Sequence, residues 1–254
     1  MWQVGMNPRD KSYRLDLTSG IFISLSLFLL WLGSLIWLLS LDMSQVTALG
    51  GVAAVFVRTF LHTGLFITAH DAMHRNVFPK SRKVNDLIGS IATTAYALLS
   101  FRVLSQKHRL HHRHPASLDD PDFCDRQDCE SDRNASYWYL KFMGGYLDRN
   151  QLWILLVGMV LIFSTLSLGC HISVSNLILF WVLPILLSSI QLFYFGTFLP
   201  HRKLAKGYED RHRARSSNYT IFWSFITCYH FGYHWEHHEY PHLPWYMLPS
   251  AKWK

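Results

Sequence analysis

Charge is scarce in this sequence. Of its 254 residues, 16% are Asp, Glu, Lys or Arg, against roughly a quarter in soluble domains. That shortage argues against an ordinary soluble domain. Cysteine is scarcer still. Cys124, Cys129, Cys170 and Cys228 are too few and too scattered for a disulfide framework. All four are expected as reduced thiols, with Cys124 and Cys129 in an acidic loop. No internal repeat or low-complexity segment is present. The formal charge of +7 admits an anionic partner, but not nucleic acid, because the basic residues are not interleaved with aromatics on one soluble face. In excess are apolar residues at 50%, aromatics at 15% and ten Trp, the residue favoured at membrane–water boundaries. Histidine, with fifteen copies, is the other anomaly.

A spanning helix needs about 20 mostly apolar residues. Four stretches qualify: 19–41, 46–69, 152–170 and 177–199. The first carries no charge and reads as an anchor rather than a cleavable signal, being too long, with a charged lead and no small-residue cleavage site. The second includes Arg58 and His62, one turn apart, and an ionisable residue inside a span is a functional hypothesis by default. These two would orient the bundle interior, or Arg58 would bond backbone carbonyls at nearby helix ends. The links DMSQ (42–45) and HISVSN (171–176) are short, which pairs the spans into two hairpins with both links on one side. Of the 24 Lys and Arg, all but Arg58 fall on the other side. The positive-inside rule makes that side cytoplasmic. Two further apolar stretches, 86–104 and 221–231, read as interfacial, the former alternatively as re-entrant. If 86–104 crossed, it would send the histidine motifs to opposite faces.

Those motifs are His70-Asp71-Ala72-Met73-His74, His108-Arg109-Leu110-His111-His112 and His234-Trp235-Glu236-His237-His238. On a helix, positions i, i+3 and i+4 share a face, so HxxxH offers two convergent imidazoles and HxxHH three. Neighbouring residues lie about 100° apart around the helix, so one of an adjacent pair can address one metal and its neighbour a second. With His201, just past the fourth span, there are nine candidate ligands, suited to two metals. Imidazole suits Fe, Cu, Zn and Ni. The absence of Cys from the motifs argues against a structural zinc site, and iron is chosen on chemistry rather than spacing. The fold expected is an all-α integral membrane protein. Four transmembrane helices form two hairpins under a cytoplasmic, His-rich cap that carries a di-metal centre. Both termini lie on that side.

With these motifs at the ends of four spans, the sequence resembles the membrane di-iron superfamily of fatty acid desaturases and hydroxylases. TGLFITAHDAMHR (63–75), HRLHHRHPASLDDPDF (108–123), FGTFLPHR (195–202) and YHFGYHWEHHEYPHLPWYMLP (229–249) resemble more closely the β-carotene ketolases of bacteria and cyanobacteria. The likeness runs from about residue 19 onward and implies one desaturase-like membrane domain over 1–254. It further implies two iron ions, O2 as cosubstrate, β-carotene or a related carotenoid as substrate and a ferredoxin-like electron donor. The reaction implied is oxidation of C4 of the β-ionone ring to a ketone. Two hydroxylations and loss of water would give echinenone and then canthaxanthin.

Ligand imidazoles must be neutral, and their outer nitrogens need partners. Asp71, Asp119, Asp120, Asp122 and Glu236 are candidates for that role. His230, four before His234, would share its face if the helix extends that far, as a ligand or a partner to one. His114 and His242, each beside a Pro, read as structural, and His171 lies in the outer link. His212 belongs to the basic run 202–215, which could dock an acidic electron carrier. A fatty acid desaturase or carotene hydroxylase on the same scaffold is the alternative the motifs alone do not separate. A metal transporter is the alternative from another class, but it would carry its ligands within the spans.

Overall fold

A computed structural model describes residues 19–124, 135–203, 207–208 and 210–252. Among these residues the secondary structure is helical, with no strand. Four helices are long and apolar enough to cross a membrane. They are α1 (Ser19–Leu39), α2 (Ala48–Met73), α6 (Arg149–Gly169) and α7 (Val174–His201). Shorter helices fill the intervals: α3 (Arg82–Ala97), α4 (Phe101–Arg113), α5 (Ala135–Tyr146), α8 (Ile221–Cys228) and α9 (His234–Glu239). Their starts follow from side chains that accept a bond from the first turn. Thr47 Oγ1 takes the Gly50 N–H at 3.1 Å and Asp148 Oδ1 the Gln151 N–H at 2.9 Å.

Helix α2 is the central one. It packs against α1, α3 and α7, whereas α6 lies outermost with none of its apolar window buried. The burial explains how α2 tolerates charge. Arg58 is fully buried and bonds carbonyls on two other spans: its Nη1 donates to Trp31 at 2.6 Å and its Nε to Phe180 at 3.1 Å. Phe180 sits in a π-helical stretch (Ile178–Val182), where the widened turn frees a carbonyl. Of the two roles expected for Arg58, carbonyl bonding is the one observed. His62 accepts from Trp31 Nε1 at 3.1 Å and stacks on Tyr96 at 4.6 Å. At the far end, Asn176 donates to Leu38, Leu39 and Leu41, closing the C-terminus of α1 and bringing the two short links together.

The structure revises several boundaries. Helix α2 continues to Met73, so His70 lies in its last turn and His74 caps it. The apolar run 86–104 is two helices, not one segment. Leu98 adopts a left-handed φ of 54°, and the chain turns by 100° between α3 and α4. A bend that sharp fits a broken span or a re-entrant path. Helix α8 exposes Ile221, Phe222 and Trp223, an apolar face that fits the interface. The expectation of four reduced thiols fails at Cys124, which is disulfide-bonded, while Cys170 and Cys228 are free. Cys129 and, within the run 202–215, residues 204–206 and 209 lie outside the described residues.

Candidate metal centre

All nine predicted histidines gather at one end of the bundle. Helix α2 delivers His70 and His74, α4 delivers His108, His111 and His112, α9 delivers His234, His237 and His238, and His201 ends α7. They divide into two groups. In the first, His70, His74, His108 and His237 bring ligand atoms within 4.8 Å of one another. His112 joins them, its Nε2 lying 3.1 Å from that of His108 and 2.9 Å from that of His237. In the second, His111, His201, His234 and His238 converge likewise, with Nε2–Nε2 separations of 2.8 Å for His201–His234 and 3.1 Å for His111–His238.

The adjacent pairs split between the groups as helical rotation requires. His111 and His112 sit at 81° to each other and His237 and His238 at 75°, each pair contributing one ring to each group. Two HxxHH helices facing each other therefore build two sites. Lone pairs crowded this closely repel one another, so the donor set fits cations held between them. An all-imidazole set without thiolate suits borderline metals such as iron.

Protonation is consistent with ligation. Burial, reinforced by neighbouring imidazoles, holds His108, His112, His234, His237 and His238 well below the ordinary histidine value, so they are neutral near pH 7. His111 moves the other way. Burial lowers it, but the carboxylates of Asp120 and Asp122 outweigh that and leave it raised.

The outer nitrogens sort the predicted partners. His111 Nδ1 donates to Asp120 at 3.0 Å, which leaves Nε2 as the free lone pair. Asp120 is itself fixed by the N–H groups of Ala116 at 2.7 Å and Asp122 at 2.9 Å. Asp122 stands 3.7 Å from His111 Nδ1 and accepts from the Tyr146 hydroxyl. Asp119 is exposed in the turn and away from the histidines. Asp71 is buried but 3.9 Å from His70 Nδ1, beyond hydrogen-bond range, and it accepts the Trp245 N–H at 3.3 Å. Glu236 accepts from Ser216, whose oxygen takes the Trp235 N–H at 3.1 Å. His230 joins neither group. The helix expected to carry it begins only at His234, and Tyr229 and His230, just past the end of α8, take left-handed φ values of 44° and 64°. Its ring packs against Phe225 and Trp245 instead.

Three features had no sequence signal. His201 Nδ1 donates to the backbone carbonyl of Arg213 at 3.0 Å. His212 lies with its ring 5.7 Å from that of His238 and bonds Glu239 at 2.7 Å. The third is a cavity of about 180 Å3 that runs between the helices to the histidines. Its walls include Tyr96, Phe142, Leu155, Leu186, Leu192 and Phe231, and its inner end is formed by His70, His108, His111 and His234. Leu186, one of the lining residues, is itself exposed.

Known proteins match this arrangement. The fatty acid desaturase family model covers residues 46–254. A β-carotene ketolase of Paracoccus sp. (strain N81106 / MBIC 01143) is 38% identical over 94% of this chain and 95% of its own. A second, from Paracoccus sp. (strain PC1), is 36% identical over 97% and 98%. A zeaxanthin 4-ketolase of Chlamydomonas reinhardtii is 36% identical over 91% of this chain, which spans 51% of that longer protein. With two imidazole groups at the head of an apolar cavity and relatives this similar along nearly its whole length, the chain belongs to the fatty acid desaturase family and, within it, to the β-carotene ketolases.

Proposed function

We propose that this enzyme oxidises C4 of the β-ionone ring of β-carotene to a ketone, giving echinenone and then canthaxanthin. The observation that carries this reading is the pair of imidazole groups closing the inner end of an apolar cavity. His70, His74, His108, His112 and His237 would hold one iron ion, and His111, His201, His234 and His238 the other. Bound there, the two irons would supply O2 activation and accept electrons, chemistry the side chains lack. Each of two hydroxylations consumes one O2, two electrons and two protons and releases one water. The resulting geminal diol loses a further water to leave the ketone. A ferredoxin-like carrier would supply the electrons.

The chain's own contribution is placement. Leu155, Leu186 and Leu192 offer the ring a dry path from the lipid side, and Tyr96 and Phe231 flank its end near the histidines. His108 and His111 face the same space, so a ring methylene lodged there meets both groups. Asp120 holds His111 in one tautomer and orientation, and the Arg213 carbonyl does so for His201. We further infer a single domain over 1–254, with the spans in two hairpins and the metal centre and both termini in the cytoplasm. The shared contact of Asn176 with the end of α1 supports the pairing, and the placement of Lys and Arg supports the orientation.

The test is expression in a bacterium engineered to accumulate β-carotene, with pigments resolved by chromatography and mass spectrometry. Echinenone and canthaxanthin are expected from the parent protein and neither from His237→Ala. Hydroxylated carotene alone would move the reaction to the hydroxylases. Unchanged β-carotene with iron-loaded protein and a competent donor would sink the carotenoid assignment.

A further inference from the structure

Away from the histidines, a second cavity of about 240 Å3 opens where α7 ends. One wall is apolar, built from Phe195, Leu199 and Pro200. The lining also carries Arg202 and Arg215 beside the polar run that begins at Ser216. No acidic residue lines it among the described residues. Arg215 is anchored by its Nε, which donates to the Leu199 carbonyl at 3.0 Å. Its Nη2 is then buried with no hydrogen-bond partner among the described residues. Arg202 lies over the ring of Phe198, 5.8 Å from its centre. Two guanidinium groups facing one space, one with a buried donor unused, make a site that calls for an anion.

The depth of the cavity narrows the choice of anion. It sits at the end of a membrane span, and the chain leaving it through Tyr219 enters α8, whose Ile221, Phe222 and Trp223 are exposed. Apolar side chains displayed there belong at the level of lipid headgroups. We propose that this cavity binds the phosphate of an anionic membrane lipid between Arg202 and Arg215, with Phe195, Leu199 and Pro200 against its acyl chains. Forked donors that match phosphate oxygens give arginine its advantage there, and basic pockets beside spans are suited to such headgroups.

The segment that forms the polar wall also serves the metal centre. Ser216 donates to Glu236 and accepts from Trp235 of α9, and the Arg213 carbonyl holds His201. A lipid seated on Arg215 therefore steadies the loop that fixes ligands on α7 and α9. Binding itself is independent of the ketolase reading, and only its effect on turnover rests on it.

The experiment uses the full chain in nanodiscs of phosphatidylcholine with and without phosphatidylglycerol, and reads retained lipid by native mass spectrometry. Phosphatidylglycerol should be enriched on the parent protein, and Arg202→Gln should reduce that retention by about fivefold, near the loss of one basic residue's attraction for an anionic surface. Arg202 is exposed and its side chain makes no hydrogen bond or ion pair among the described residues, so this variant tests the site even if Arg215→Gln does not fold. Arg215→Lys, which keeps the charge and loses the fork, should fall between. Equal retention by the parent and Arg202→Gln would overturn the site. Displacement of the lipid by millimolar inorganic phosphate, with equal thermal protection from phosphate alone, would overturn the lipid as its ligand.

Discussion

The two histidine groups use the same chemistry but are held differently. In the second group all four rings are buried. Two of them have outer nitrogens committed, His111 to a carboxylate and His201 to a backbone carbonyl. In the first group His74, His108 and His112 are partly exposed. His70 Nδ1 is buried without a partner among the described residues. Its nearest carboxylate, Asp71, is spent on the Trp245 backbone. The groups share α4 and α9 and differ in the span that completes them, α2 for the first and α7 for the second. The second group is thus braced from outside the boxes by Asp120 and Arg213 at two of its rings, although His238 Nδ1 is buried without a partner among the described residues. In the first group no outer nitrogen bonds a carboxylate or a backbone carbonyl among the described residues.

The widest break in this comparison comes from removing one ligand from each group. His237→Ala and His238→Ala alter neighbouring residues that serve different groups. Each should abolish ketone formation and lower iron by roughly half, because coordination at one site fails while the other persists. Iron content of the purified variants checks this, with circular dichroism to confirm folding. Complete iron loss from either variant would mean that the groups bind cooperatively as one centre.

A smaller effect is expected at the braces. Asp120→Asn keeps an oxygen for only one of the Ala116 and Asp122 N–H groups, which bond different carboxylate oxygens, and removes the charge that fixes His111. Losses from such partners run to about 10- to 100-fold in metal affinity or activity, and chelator competition would measure it. Asp71→Asn should separate stability from metal binding. It weakens an acceptor of the Trp245 N–H and so should lower thermal stability by about 1 kcal/mol, with iron content unchanged. If Asp71→Asn instead depletes iron while Asp120→Asn does not, the contrast between the groups is reversed.

Much of this architecture was legible in the sequence. The spans are recorded as apolar runs of sufficient length, and eight of the nine candidate ligands as i, i+3 and i+4 spacings that any helix converts into a shared face, with His201 marked only by its place at the end of a span. The division of His111 from His112 followed from helical rotation. Reading failed where the helix itself failed. His230 looked like an extension of the α9 face because its spacing to His234 presumes unbroken helix, and left-handed backbone at Tyr229 and His230 breaks it. The bend at Leu98 lay hidden for a similar reason, since neither glycine nor proline marks it. A partner supplied by the backbone, such as the Arg213 carbonyl on His201, leaves no trace in residue type. The 180 Å3 cavity is assembled from residues far apart in the chain and has no local pattern either.

The finest comparison lies between two adjacent aspartates, which residue type could not tell apart. Asp119 and Asp120 follow the same histidine box in one turn, and both were candidates to hold a ligand's outer nitrogen. The turn decides between them. The Asp120 N–H bonds back to the Ser117 carbonyl at 3.1 Å, which folds its carboxylate inward onto His111 and leaves Asp119 in solvent. An exposed carboxylate with no hydrogen bond or ion pair among the described residues should be dispensable. Asp119→Asn is therefore expected to keep full iron content, to make ketone within about twofold of the parent and to shift stability by less than about 0.5 kcal/mol. Measured beside Asp120→Asn in the same preparation, it supplies the control that a general charge effect would not pass, since both variants remove one negative charge from one turn. A tenfold iron loss in Asp119→Asn would mean that the turn presents the other carboxylate to the metal centre, and the bracing of His111 by Asp120 would fall with it.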